Sequence, residues 1–127
     1  MKITIGNHQH IGTREEQQDS FGISHFEDPK QVRQKGLLAV LADGMGGMQL
    51  GRRASQTAVE SMLHFFMQNN TDDSPANILT NALHTANHQV LKMASAAGLD
   101  GEVGTTLAAV CIYKNQLYWI SVGDSRI

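Results

Sequence analysis

A run of six apolar residues, residues 37–42, predicts a strand that is buried on both faces. The run ends at a carboxylate, Asp43, and four of the next eight residues are glycine. A charged side chain at the end of a buried strand is costly unless a cation or a metal ion pairs with it. Because glycine lets the backbone turn tightly and approach a ligand closely, this stretch is a candidate site. An ordinary strand-ending turn followed by a loose loop explains the same residues equally well.

Further strands are predicted on both sides of this run. Four segments alternate apolar and polar residues or are rich in β-branched and apolar ones: residues 3–6, 21–26, 105–113 and 117–122. The polar residues 13–20 predict a loop, and residues 27–30 predict a turn that leads into the buried strand. The last two strands are separated by residues 114–116, which predict a tight turn.

Two long helices are predicted in the middle of the chain. Residues 54–67 carry apolar side chains at the spacing of one helical face. The second helix has Ser74 as its predicted N-cap, Pro75 at its first helical position and Gly98 as its predicted end. At about 1.5 Å per residue this helix is long enough to cross the face of a sheet.

The resulting order of elements, β-β-β-α-α-β-β with short loops between strands, predicts an α+β fold built on a largely antiparallel sheet. The chain has 127 residues, which is enough for a single domain. There are no internal repeats and no change in composition that would mark a linker. We therefore treat residues 1–127 as one domain.

The amino-acid composition limits the class of protein and the partners that can be expected. Hydrophobic residues make up 41% of the chain and charged residues 17%, values typical of a globular protein. The net charge of −2 gives no reason to expect binding to nucleic acid or to an anionic membrane. The single cysteine, Cys111, cannot form an internal disulfide and is predicted to be a buried thiol. The N-terminus lacks the apolar core of a signal peptide, so a cytoplasmic location is predicted.

Charged residues that could carry chemistry lie near strand ends. They form three groups along the chain: Arg14 with Asp19, Asp43 with Gly44, and Asp124 with Arg126. Aspartates at strand ends are hard oxygen ligands suited to Mg²⁺ or Mn²⁺, and an arginine offers a planar fork for a phosphate. The glycine run does not match a phosphate-binding P-loop, and no Cys/His spacing of a zinc site is present.

Four motifs carry a resemblance to a known family. They occur in order along the whole chain: Arg14-x-x-x-x-Asp19-Ser20, Asp43-Gly44-Met45-Gly46-Gly47 with Gly51-x-x-Ala54-Ser55, Gly104-Thr105-Thr106-Leu107, and Val122-Gly123-Asp124-Ser125-Arg126. Together they resemble the N-terminal part of the PP2C (PPM) family of metal-dependent serine/threonine protein phosphatases, in its bacterial style. The resemblance implies an α-β-β-α sandwich of antiparallel sheets, in which the two long helices of this chain pack on one sheet.

The resemblance also implies roles for individual residues. Asp43 corresponds to the aspartate that bridges two Mn²⁺ or Mg²⁺ ions, and Gly44 to the residue whose carbonyl binds one of them. Arg14 corresponds to the phosphate-holding arginine, and Asp19 to the acid that orients metal-bound water. Asp124 corresponds to a ligand of a third, weaker metal site. The implied reaction is attack of metal-activated water on a phosphoserine or phosphothreonine protein, without a phosphoenzyme.

Departures from the family pattern limit these expectations. Members run to about twice this length, and their remaining metal-binding aspartates follow the Gly-Asp-Ser-Arg motif. We therefore expect an incomplete domain that is weakly active or inactive alone, and the alternative is a non-catalytic binding or regulatory module. Met48, Arg52 and Gln18 occupy positions where members often have His, Glu and an acid. An exposed sheet face and an unpaired edge near Ile127 predict self-association, for instance by strand exchange.

Overall fold

The computed structural model describes residues 2–70 and 72–126, so that the predicted edge at Ile127 lies outside the described residues. The strands are β1 (Asp19–Ile23), β2 (Leu37–Met45), β3 (Gly104–Thr105), β4 (Leu107–Tyr113) and β5 (Gln116–Val122). The helices are α1 (Pro29–Lys35), α2 (Met48–Gln68) and α3 (Pro75–Ala96). All strands pair antiparallel in the order β1-β2-β4-β5, with β3 pairing with the end of β2. The predicted α+β fold with an antiparallel sheet is confirmed.

The hydrophobic core lies between one face of the sheet and the two long helices, as predicted. Alternate residues of β2 and β4 point into it, because successive side chains of a strand lie on opposite faces. Its buried members include Leu38, Val40, Ala42, Ala109 and Cys111 from the sheet, Ala54, Ala58, Met62 and Phe66 from α2, and Leu79, Ala82, Ala86 and Val90 from α3. No helix in the described part of the chain is long and apolar enough to cross a bilayer.

The opposite side of the sheet, which we call the outer face, carries apolar side chains that no described helix or strand covers, although residues 6–10 line a cavity against part of it. The register sets them in rows across the strands, and the face includes Phe21, Ile23, Ala39, Leu41, Val110, Ile112, Leu117 and Trp119, with Leu37 and Ala108 buried among them. Trp119 is 69% exposed and Leu117 is 61% exposed. The outer face is therefore a strip of apolar surface that ends at Asp43 and Asp19.

Cys111 confirms the prediction of a buried, unreactive thiol. Its side chain is fully buried in the core, and burial raises its pKa to about 11. A thiol with a raised pKa forms little thiolate at neutral pH and is a poor nucleophile.

Three predicted elements differ from the structure. Residues 3–6 form no strand, because no other strand pairs with them. Residues 27–30 do not form a simple turn but start α1, since the side chain of Asp28 accepts hydrogen bonds from the N–H groups of Lys30 and Gln31 and Pro29 occupies the first turn. Helix α2 begins at Met48, six residues earlier than predicted, immediately after Gly47 in the glycine run.

Strand boundaries also shift. Strand β1 begins at Asp19, inside the segment predicted as a loop, and ends at Ile23 rather than at residue 26. The strand predicted over residues 105–113 is divided into β3 and β4 at Thr106. The other predicted helix and the final hairpin agree with the structure to within two residues.

Candidate metal centre

Asp19 and Asp43 lie directly opposite each other on β1 and β2. Their neighbours Ser20 and Gly44 face α2, which turns both carboxylates to the outer face. Both aspartates are exposed, and they stand at the end of the outer face where β2 leaves the sheet. The sequence placed Asp43 just after the buried strand, but β2 continues through Asp43 to Met45 and sets its carboxylate opposite that of Asp19. We call these two facing carboxylates the acidic pair.

The pKa of Asp19 is raised above its ordinary value of 3.8. Burial contributes most, followed by a side-chain hydrogen bond to Asp43 and the repulsion of its charge, while Arg14 acts in the opposite direction. The charge of Asp43 thus opposes the ionisation of Asp19. A divalent cation between them would relieve this repulsion.

The backbone of Asp43 is fixed by the neighbouring strand. Its N–H donates to the hydroxyl of Thr106 (N···Oγ1 3.1 Å), and its carbonyl accepts from the N–H of Thr106 (2.8 Å). Oγ1 of Thr105 also lies 3.1 Å from the Asp43 carbonyl oxygen, as an alternative to its shorter hydrogen bond to the Thr106 carbonyl. Both backbone groups of Asp43 are therefore occupied within the sheet, which leaves its carboxylate as the group available to a ligand.

Gly44 and Gly51 bring β2 and α2 into backbone contact beneath the acidic pair. A Cβ atom on Gly44 would lie 1.8 Å from the carbonyl oxygen of Gly51. A Cβ atom on Gly51 would lie 2.7 Å from Oε1 of Gln18. Only glycine fits at position 44, where the contact is with backbone, whereas an alanine at position 51 would require the Gln18 side chain to move.

A buried serine joins the start of β1 to the same region. The hydroxyl of Ser55, which is fully buried in α2, donates to the carbonyl of Gln18 (2.6 Å) and lies 2.8 Å from the hydroxyl of Ser20. The N–H of Gly44 donates to the same Gln18 carbonyl, at 3.2 Å. These contacts set the position of Asp19, which follows Gln18 directly.

Arg14 and Asp124 lie at the periphery of the acidic pair. Arg14 is exposed and close enough for its charge to lower the pKa of Asp19, but the structure gives it no ion pair among the described residues. Asp124 is exposed in the segment after β5, and its neighbour Ser125 is hydrogen-bonded to Thr106. Nη1 of Arg52 lies 4.0 Å from Oε1 of Glu16, near the start of α2. Arg52 is one of the departures from the family pattern.

The donor set fits a divalent cation only in part. Two carboxylates on facing register positions supply hard oxygen ligands of the kind that Mg²⁺ and Mn²⁺ prefer. Within residues 2–70 and 72–126, however, no group of three His, Cys, Asp or Glu side chains converges to hold a metal ion. The structure therefore brings Asp19 and Asp43 together but does not bring Asp124 to them.

Three residues of the site were visible in the sequence only as parts of motifs. Ser55, Gly51 and Thr106 belong to the motifs that carry the family resemblance, but the sequence indicates no physical role for them. Their roles depend on which strand faces which helix, and a single sequence does not display that. Gly51 precedes the predicted helical pattern, and glycine has a low helix propensity, so no local signal indicated its close packing inside α2.

We expect Asp19→Asn to stabilise the metal-free chain at pH 7 by about 0.5 kcal/mol, since the substitution removes one of two facing, solvent-screened like charges. Because the pKa of Asp19 is higher in the folded state than its ordinary value of 3.8, protonation of Asp19 stabilises the folded state. This stabilisation is fully present below pH 3.8 and is lost as the pH rises through the folded-state pKa. The gain from the substitution should therefore shrink as the pH falls toward 4. Urea unfolding at several pH values measures it.

The control for this prediction is Asp100→Asn, which removes a charge from an exposed loop position. It should change the free energy of unfolding by less than Asp19→Asn and without the same pH trend. A destabilised Asp19→Asn variant at pH 7 would contradict the repulsion between Asp19 and Asp43.

Comparison with known proteins identifies the family. The family model of protein phosphatase 2C matches residues 7–127. The serine/threonine protein phosphatase PstP of Mycobacterium tuberculosis is 36% identical over 94 residues, which are 70% of this chain and 17% of PstP. A putative protein phosphatase 2C-type of Streptococcus pyogenes is 26% identical across 100% of this chain and 49% of its own length.

Solved structures show the same fold. The catalytic domain of PstP in complex with two manganese ions superimposes with a TM-score of 0.69 at 28% identity, over 89% of this chain and 44% of that one. A bacterial serine phosphatase superimposes with a TM-score of 0.73 at 27% identity, over 89% and 44% respectively. The chain thus spans less than half the length of each of these relatives. Because the family model covers nearly the whole chain and the solved relatives share its fold, the chain belongs to the protein phosphatase 2C family.

Proposed function

We propose that this chain forms the part of a metal-dependent phosphoserine/phosphothreonine protein phosphatase that carries the acidic pair, and that residues 1–127 are an incomplete catalytic domain. The observation that carries this proposal is the register pairing of Asp19 with Asp43 at the end of the outer face. Membership of the family supports phosphoproteins as the proposed substrate class. The missing third acidic ligand among the described residues supports the proposed incompleteness.

Asp43 and Gly44 are the proposed cation ligands on β2, and Asp124 a ligand of a further cation. Asp19 would hold the solvent network beside them, because its carboxylate faces Asp43 and its pKa is raised by burial and then by that neighbour. Bound Mn²⁺ or Mg²⁺ would lower the pKa of water and neutralise charge on the phosphoryl oxygens. Manganese is supported by the two ions in the PstP complex.

Arg14 is the proposed phosphate-binding residue. Arg14 is exposed, its charge acts to lower the pKa of Asp19, and it has no ion pair among the described residues, so its donors can meet an incoming phosphate. We also propose a cytoplasmic location, which the free and fully buried thiol of Cys111 supports, since cytosolic proteins keep their cysteines reduced.

The test measures Mn²⁺ binding by this chain, and Mn²⁺-dependent hydrolysis of a phosphopeptide by the chain alone and by a chimera with the C-terminal half of the Streptococcus pyogenes relative. We expect the chain to bind Mn²⁺, and Asp43→Asn to weaken this binding at least about tenfold. We expect hydrolysis in the chimera only, and its loss with Asp43→Asn.

Other results separate the alternatives. A chain that binds no Mn²⁺ would contradict the metal centre. Robust hydrolysis by the short chain alone would contradict its incompleteness. If the chain binds Mn²⁺ but neither form hydrolyses the phosphopeptide, the non-catalytic binding module becomes the better explanation, and the missing third acidic ligand is the observation that favours it.

We further propose that the chain self-associates through its sheet. Among the described elements β1 and β5 each pair with a strand on one side only, so both present free backbone edges. The outer face between them measures roughly 15 Å by 20 Å from strand spacing and rise, which is about the size of the largest apolar patch on a typical monomer, and such patches are often functional. Packing of two outer faces would bury Trp119 and Leu117 of both copies.

A further inference from the structure

We propose that Thr106 is a positioning residue that holds Asp43 and the segment of residues 123–126 in one fixed arrangement. The inference deepens the proposed function and rests on it, because its consequence is to keep Asp124 at the end of the sheet that carries the acidic pair. Thr106 itself is not proposed to bind the cation or the phosphate. It acts through the backbones of the residues that do.

Thr106 replaces an ordinary ladder hydrogen bond with a side-chain one. Facing residues of an antiparallel pair normally exchange N–H to carbonyl hydrogen bonds. Here the N–H of Thr106 donates to the Asp43 carbonyl at 2.8 Å, but the N–H of Asp43 donates to the Thr106 hydroxyl at 3.1 Å. The Thr106 carbonyl instead accepts from the hydroxyl of Thr105, at 2.8 Å. This exchange coincides with the break between β3 and β4.

The same hydroxyl reaches the segment after β5. A hydroxyl group can accept one hydrogen bond and take part in a second, as donor or acceptor. While Oγ1 of Thr106 accepts from Asp43, it is also hydrogen-bonded to Oγ of Ser125. One side chain therefore links the backbone of β2 to a residue 82 positions later in the chain, since 125 minus 43 is 82.

The methyl group of Thr106 contacts Gly123, the residue that precedes Asp124. A Cβ atom placed on Gly123 would lie 2.8 Å from Cγ2 of Thr106, and Gly123 has a φ of +91° that favours glycine. The backbone at Gly123 is thus packed closely on the methyl group, and Thr106 is only 4% exposed. Asp124 lies between two residues that both contact this one side chain.

Threonine suits this role better than the amino acids closest to it in shape, serine and valine. Serine retains the hydroxyl but lacks the methyl group that meets Gly123, whereas valine retains the shape and lacks the hydroxyl. A matched structural contact exists at the opposite end of β2, where the buried hydroxyl of Ser24 accepts from the N–H of Leu38 at 2.9 Å. That contact has the same chemistry but no facing aspartates, so it serves as a control for stability alone.

The test compares Thr106→Val, Thr106→Ser and Ser24→Ala in the full chain by Mn²⁺ titration, thermal unfolding and amide hydrogen exchange. Thr106→Val should weaken Mn²⁺ binding about tenfold and accelerate exchange of the Asp43 amide. Ser24→Ala should lower stability comparably but leave Mn²⁺ affinity within about twofold of the parent chain. Thr106→Ser should restore most of the affinity. Equal effects of Thr106→Val and Ser24→Ala on affinity, or failure of serine to rescue, would overturn the proposal.

Failure of the metal centre and failure of this inference give different results. If the parent chain binds no Mn²⁺, the proposed function fails, and Thr106 is judged by amide exchange at Asp43 and by the amide chemical shifts of Asp124. Changes in Thr106→Val that Thr106→Ser reverses would support the inference, and unchanged exchange and shifts would overturn it. If Thr106→Val does not fold, Ser125→Ala removes the other end of the link, and unaltered Asp124 shifts and Mn²⁺ affinity would overturn it.

Discussion

Replacement of Gly44 by alanine should cost at least about 3 kcal/mol of folding free energy, the upper end of the usual range for overpacking. The added Cβ would lie 1.8 Å from the carbonyl oxygen and 2.4 Å from the carbonyl carbon of Gly51. Both are backbone atoms in the first turns of α2, so the clash cannot be relieved by rotation of a side chain. Urea unfolding followed by circular dichroism measures the effect.

Gly6→Ala provides the matched control. Nothing lies within 4 Å of a Cβ atom at Gly6, and its φ is not in the left-handed region. The free energy of unfolding should therefore change by less than about 0.5 kcal/mol. A loss of less than 1 kcal/mol in Gly44→Ala would show that β2 and α2 do not touch at this point in solution.

The second large effect is expected at the outer face. Trp119→Glu should raise the dissociation constant of a dimer of this chain about 1000-fold. Each copy loses a buried tryptophan contact worth roughly 2 kcal/mol or more, and each dimer contains two of them. The new carboxylate would also have to be buried against an apolar surface. Light scattering after gel filtration, over a series of protein concentrations, follows the change.

Leu91→Glu tests whether any added charge would have the same result. Leu91 is 55% exposed on α3, on the helical side of the molecule and away from the outer face. This variant should associate like the parent chain. A parent chain that remains monomeric at high concentration would refute self-association, and equal dissociation in both variants would place the interface elsewhere.

Elements whose boundaries depend on local chemistry were predictable from the sequence. Helix α3 begins as expected, because the hydroxyl of Ser74 accepts from the N–H of Asn77 at 3.2 Å. The β4–β5 turn is equally local, since Lys114 and Asn115 adopt the positive φ values of a tight hairpin. Helix α1 also had its signals in Asp28 and Pro29, but its seven residues lack a buried face and so produce no apolar period.

The misplaced elements depend on contacts that are distant in the sequence. Residues 3–6 alternate like a strand, but a strand requires a partner, and none of the described strands pairs with them. The start of α2 within the glycine run depends on the backbone contact between Gly44 and Gly51. Glycine has a low helix propensity, so local pattern alone placed the start of α2 after Gly51.

The sequence predicted which residues form the candidate site, but not which of them face each other or share hydrogen bonds. A carboxylate after a buried strand pointed to Asp43, and the motifs added Arg14, Asp19 and Asp124. That Asp19 faces Asp43 follows from the register of β1 with β2. Hydroxyl contacts such as those of Thr106 and Ser55 depend on rotamers and on packing between elements. The roles of all these residues remain predictions.

The hydrogen bonds between Asp43 and Thr106 also bear on the order of folding. They close a loop of 63 residues that contains both long helices. Closing a flexible loop of that length costs about 4 kcal/mol in chain entropy, whereas one hydrogen bond contributes about 1 kcal/mol. One hydrogen bond does not offset this cost, so we expect the five-pair ladder of β2 and β4 to form after α2 and α3 have shortened the loop. The acidic end of the sheet is then a late product of folding, assembled on a helical layer whose own contacts are nearer in sequence.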